Sequence, residues 1–234
     1  MRILPLALIA VLAACEPVVE QAPVDAPRVQ QQQATPKLST RAALANFNRA
    51  KARVEPVAEQ VCRQRAPNLN CDFRIIIDER SGQGINAYQT LDRSGRPIIG
   101  FTVPLIADAR NQDEIAFVMA HEAAHHIQGH IARQQQNATV GAIVFGQLAG
   151  ALGAPNSIDT AQQIGATVGA RTYSKEFELE ADALGTRIAA ASGYDPLKGA
   201  QFFFRIPDPG NRFLGTHPAN ADRLRTVERV AAGL

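Results

Sequence analysis

The stretch His121-Glu122-Ala123-Ala124-His125-His126, followed by His130, carries four of the five histidines in a chain of 234 residues. A spacing of four on an α-helix is about 40° of rotation, so His121 and His125 leave one face a turn apart. Two imidazoles so placed can grip one zinc ion, and Glu122 beside them is positioned to take a proton from a water at the metal. His126 and His130 point off that face and read as structural or exposed. Context makes the stretch helical. Asn111 with Glu114 three residues on forms a capping box, Asp113 favours the first turn, and Ile115, Val118, Met119, Ile127 and Ile131 continue an apolar stripe to Gln135.

Zinc at a catalytic site usually takes three protein ligands, so a further donor is needed. Glu176-Phe177-Glu178-Leu179-Glu180-Ala181-Asp182 reads as a second helix in which Glu178 and Asp182 share a face. Glu180 is about 200° round from Glu178 and cannot face the same metal. Glu178 is expected to be the third ligand, and Asp182 the carboxylate that accepts the N–H of a ligating histidine, fixing its tautomer.

In combination and in order, His121-Glu122-x-x-His125, then Glu178-x-x-Ala181-Asp182, then Thr216-His217-Pro218 with Arg223 beyond it resemble the HtpX-like and BepA-like zinc metallopeptidases, a gluzincin family. Asn86-Ala87 resembles that family's Asn-Ala on a strand bordering the cleft. The resemblance covers about residues 40 to 232. It implies a zincin-like endopeptidase with one zinc on His121, His125 and Glu178 and with Glu122 as catalytic base. It implies as substrates unfolded or misassembled envelope proteins, a role in protein quality control. It also places His217 near the metal and Arg223 in the helix that follows. The oxyanion of peptide hydrolysis needs a donor besides zinc, and His217 or Arg223 can supply it.

Met1-Arg2, the apolar run from Ile3 to Ala14 and the lipobox Leu12-Ala13-Ala14-Cys15 read as a lipoprotein signal peptide over residues 1–14, too short to span a bilayer. Acylation of Cys15 gives stable membrane anchoring. Glu16, in place of the aspartate associated with inner-membrane retention, favours by resemblance the periplasmic face of an outer membrane. Residues 15–38, rich in Pro and Gln, read as a flexible tether before a peptidase domain over residues 39–234. If flexible, such a tether holds the domain on the order of 25 to 30 Å from its anchor. In an exported chain the remaining cysteines, Cys62 and Cys71, are expected to pair as a disulfide. With 24 basic and 22 acidic side chains, a net charge of +2 and no basic stripe, no nucleic-acid partner is expected.

Helix is expected over Thr40 to Arg65 with a bend at Pro56, strands over 73–78, 85–89 and 97–102, and helices over 104–136, 172–191, 196–205 and 218–232. Strands first and helices after argue for α+β. The Gly- and Ala-rich, nearly uncharged segment 138–170 reads as a helical hairpin packed on the domain and covering the cleft, with contact to a membrane surface as its alternative. No internal repeat is found, so a tetratricopeptide module like that of BepA-like proteins is not expected. The functional alternative is a chaperone-like or adaptor lipoprotein that binds client chains in the same cleft without turnover. Glu122 speaks for the enzyme, since binding needs no base beside the metal.

Overall fold

The computed structural model describes residues 37–172, 174–205 and 219–234. The signal peptide, Cys15, most of the tether and Thr216-His217-Pro218 lie outside them. The fold is α+β, mostly helical with one small sheet, as expected. Helix α1, Thr40–Arg65, starts at Ser39, whose hydroxyl accepts from the Ala42 amide. It buries Ala43, Phe47, Ala50, Val54, Ala58 and Cys62, a stripe at helical period. It continues through Pro56 because that residue sits on the exposed face, where the carbonyl it leaves unbonded meets water. The expected disulfide joins Cys62 to Cys71 with Cα atoms 5.7 Å apart. Closing so short a loop contributes about 2 to 3 kcal/mol.

Strands β1 (Arg74–Asp78), β2 (Ala87–Leu91) and β3 (Pro97–Thr102) form a sheet in the order β1-β3-β2, with β1 parallel and β2 antiparallel to β3. Asp92 shapes the β2–β3 turn by accepting from the amides of Ser94 and Arg96, and Gly95 takes the left-handed φ of 82° that the turn requires. β2 begins two residues later than expected. Ile85 is half exposed, and Asn86 is held by a side chain: its amide donates to Thr102 Oγ1 at 3.0 Å and its carbonyl accepts from that hydroxyl at 2.9 Å. β2 is an edge strand, with no strand beyond it among the described residues.

The helix expected over 104–136 is three helices: α2 (Val103–Asp108), α3 (Gln112–Ile127) and α4 (His130–Ala151). The chain is extended at Ala109 and at Asn111, whose side chain caps α3 by accepting from the Glu114 amide at 2.9 Å. Glu114 returns a bond to the amide of Arg110, one residue before the cap. Gly129, at φ 65°, ends α3 and re-aims the chain into α4. The apolar stripe carries on past it, which is why periodicity alone runs the two helices together.

α3 is the centre of the fold and is buried on nearly every side, with Ala116, Phe117, Met119, Ala120, Ala123 and Ala124 all inaccessible. It packs against α1, the sheet and α6 (Ser174–Ala191). α6 comes so near that a Cβ on Gly185 would stand 3.0 Å from the backbone N and Cα of His121. A short helix α7 (Pro196–Gly199) approaches α3 in the same way: a Cβ on Gly199 would lie 2.4 Å from the Cβ of Phe117. Ala200–Phe204 is a 3-10 turn in place of the expected continuous helix, and α8 (Asn220–Ala231) packs on α6.

α4 and α5 (Ile158–Thr172) form the expected hairpin along a glycine seam, where a Cβ on Gly141 would be 2.0 Å from the Gly165 carbonyl oxygen. The segment 138–170 does not cover the cleft: among the described residues, α4 lines it only at its start, at His130, Ile131 and Gln134. α4 and α5 pack chiefly on each other, and Val140, Ile143, Val144, Leu148 and Leu152 of that arm are exposed, Leu152 at 74%. No described helix is long and apolar enough to cross a membrane.

Two expectations follow from this packing. Replacing residues 138–170 with a short flexible linker should change stability by less than about 1 kcal/mol, or about 2 to 4 °C in thermal midpoint. Loss of the cooperative transition would show that the hairpin belongs to the core. Gly185→Val should instead cost about 1 to 3 kcal/mol in denaturant unfolding, because a Cβ and its two methyl groups must enter a backbone-to-backbone contact.

Candidate metal centre

α3 sets His121, Glu122 and His125 along one side, and α6 brings Glu178 to the same point. The Nε2 atoms of His121 and His125 are 3.0 Å apart, and Glu178 presents Oε2 and Oε1 at 3.5 Å from each in turn. One donor atom from each of the three residues lies within 4.8 Å of the others. Donors about 2.0 to 2.2 Å from a tetrahedral zinc stand roughly 3.3 to 3.5 Å from one another, so this set fits a zinc ion and leaves a fourth position open. The three expected ligands are thus brought together. Glu122, half-buried, lines the same cleft of about 560 Å³. Asn86, Ala87 and Gln89 form its wall along β2.

Behind His121 the expected carboxylate is in place. Asp182, with no exposed surface, accepts from His121 Nδ1 at 2.9 Å, which leaves Nε2 as the nitrogen facing Glu178. Arg223, from α8, forks onto Asp182 with Nε to Oδ2 at 2.8 Å and Nη2 to Oδ1 at 2.7 Å, and lies over the Phe203 ring. Burial opposes a charge on Asp182, but Arg223 and the bond from His121 outweigh it and hold the carboxyl below its usual range. Arg223 is therefore committed to Asp182, and its Nη2 also stands 3.4 Å from both ring nitrogens of His121 and 3.6 Å from Glu178 Oε2. Burial also opposes a charge on His121, yet the bonds to Asp182 and Glu178 push it up to about 9. Burial, and then the neighbouring His121, push His125 down to about 3. The carboxylates thus favour positive charge at the point where the donors converge, which a divalent cation would supply.

His126 is structural as expected: Nε2 donates to the Asn70 carbonyl at 2.8 Å and the ring packs edge-on to Phe73. His130 is not a bystander. The turn at Gly129 swings it back until its Nδ1 is 2.8 Å from Nδ1 of His125, whereas on an unbroken helix it would sit about 140° round. Glu180 stays off the metal, as its helical angle requires, but accepts from His130 Nε2 at 3.1 Å and from Arg133 Nη1 at 2.6 Å. The count of histidines signalled this residue; the glycine that redirects it was the missing clue. A second arginine–carboxylate pair braces the start of α3, with Arg205, on the cleft wall, donating to the buried Glu114 at 2.8 Å. His217 lies outside the described residues.

Residues 45–231 match the model of peptidase family M48. The chain is 34% identical over 135 residues to the putative beta-barrel assembly-enhancing protease of Vibrio cholerae serotype O1. It is 33% identical over 138 residues to the beta-barrel assembly-enhancing protease of Escherichia coli O157:H7, and 31% identical over 140 residues to that of Yersinia pestis. These alignments take in about half of this chain, 51 to 52%, and span 28% of the length of each relative. The family match runs through every element that builds the metal centre, and the chain belongs to peptidase family M48.

Proposed function

We propose that this metalloprotease is a zinc endopeptidase of the bacterial cell envelope that cleaves unfolded or misassembled polypeptides, anchored by a lipid on Cys15 to the periplasmic face of an outer membrane. The observation that carries the catalytic part is the convergence of His121, His125 and Glu178 beside Glu122 in one open cleft. When bound there, zinc polarises a peptide carbonyl and lowers the pKa of water toward about 7. Glu122 accepts the proton of the attacking water and returns it to the leaving amine. Asp182 holds the His121 ring in one tautomer, and Arg223 keeps Asp182 ionised. Because Arg223 is engaged with Asp182, His217 is the better candidate for the donor to the oxyanion.

The edge of β2, unpaired among the described residues and with Asn86 and Ala87 on the cleft wall, suits an extended substrate that adds to the sheet by main-chain hydrogen bonds. In a folded protein most extended segments are already paired within their own sheets, which matches the proposed preference for unfolded chains. The envelope assignment draws on the lipobox ending in Cys15 and on relatives named for β-barrel assembly. The residue range 15–38 then acts as the tether and 39–234 as the peptidase domain.

Metal analysis beside a casein cleavage assay tests the proposal. Glu122→Gln should retain wild-type zinc and lose cleavage by at least about 100-fold, the scale of general acid–base contributions. Cleavage at near wild-type rate would exclude Glu122 as the base, and a zinc-loaded wild type that binds casein without cutting it would support the adaptor reading instead. His125→Ala and Glu178→Ala should each fail to hold stoichiometric zinc after dialysis, while Asp182→Asn should weaken zinc binding or activity by about 10- to 100-fold. Full occupancy in Glu178→Ala would move the third ligand elsewhere.

A further inference from the structure

We infer that His130 is a positioning residue for the zinc ligand His125, held in turn by Glu180 and Arg133. The inference rests on the zinc reading of this site and adds to it a path that the helical pattern hid. His125 turns Nε2 toward His121 and Glu178 and Nδ1 toward His130. An imidazole that gives the Nε2 lone pair to a metal carries its proton on Nδ1, so His125 must donate and His130 Nδ1 must accept across the 2.8 Å contact. The His130 proton then lies on Nε2, where Glu180 Oε2 accepts it at 3.1 Å. Arg133 fixes the carboxylate, with Nη1 at 2.6 Å from Oε2 and Nη2 at 3.3 Å from Oε1. Every donor along this path meets an acceptor, and the polarity of the whole chain is set by the metal at one end and the carboxylate at the other.

Packing fixes the geometry as well. The His130 ring stacks on Phe177, centroids 4.6 Å apart and planes 12° apart, and the Arg133 guanidinium lies over the same ring at 4.2 Å from its centroid. His130 is 4% exposed, so no solvent competes for its nitrogens as it would at the surface. The two histidine ligands are therefore supported differently. His121 meets a carboxylate directly and His125 meets one through a neutral ring, so less negative charge reaches His125. Each carboxylate is closed off by an arginine, Arg223 in one case and Arg133 in the other.

The test measures zinc affinity by chelator competition, and the visible absorption of the cobalt-substituted full-length protein, for wild type, His130→Phe, His130→Gln and Glu180→Gln. His130→Phe keeps the stack on Phe177 but removes the acceptor, and should weaken zinc by about 10- to 100-fold and shift the cobalt bands. His130→Gln, whose amide oxygen can accept from His125, should recover most of that loss. Glu180→Gln leaves the packing intact and should weaken zinc by a smaller factor, so it serves even where His130→Phe does not fold. Affinities within twofold of wild type and unchanged cobalt spectra in the folded variants would overturn the inference. A wild type that takes up no zinc would overturn the zinc reading along with it.

Discussion

The backbone of α6 lies directly against that of α3 at Gly185 and His121, and the rest of the site depends on that contact. A glutamate reaches only a few ångströms from its helix, so Glu178 can share a metal with His121 and His125 only if the two helices nearly touch. The absence of a side chain at Gly185 permits this. The same approach delivers Asp182, one turn further along α6, to the other nitrogen of His121. One close crossing thus supplies both the proposed third ligand and the carboxylate that orients His121, and α3 can bear it because its remaining faces are packed against α1, the sheet and α7.

Such a crossing buries charge, and burial of unpaired charge is costly. The fold answers with paired arginines. Asp182 is fully enclosed yet remains ionised beside Arg223, and Glu114 at the start of α3 is enclosed beside Arg205. These pairs add little net stability over apolar packing, but removing one partner strands the other in a low-dielectric interior. They explain why α8, remote in sequence from the histidines, is required around the metal centre: it carries the only guanidinium that forks onto Asp182 among the described residues.

The α4–α5 hairpin obeys another rule. Its interior is a seam of glycines rather than interlocking large side chains, and its larger apolar residues face outward. It consequently stands apart from the core while its root remains joined to the site, since His130 is the first residue of α4. The chain leaves the active-site helix, makes the arm and returns as α6, so both ends of the arm are fixed at the metal centre although its length is not.

The sequence by itself determined which residues are candidates for the chemistry. His121, Glu122 and His125 are local to one turn of helix, and Glu178 and Asp182 to one turn of another, so the angular rule of the α-helix identifies each set without knowledge of the fold. The cap at Asn111, the sheet-then-helix order and the pairing of Cys62 with Cys71 were legible for the same reason, being short-range. Tertiary structure alone decided which way helices turn at a single left-handed residue and what meets across a gap. Gly129 broke a helix whose apolar period continued past it, and that one rotation carried His130 to His125 and Glu180. The placement of Arg223 on Asp182, and of the hairpin away from the cleft, likewise came from contacts between residues far apart in the chain. Periodicity reports only which face of a helix a residue occupies, whereas contact distance is set by how closely two backbones approach.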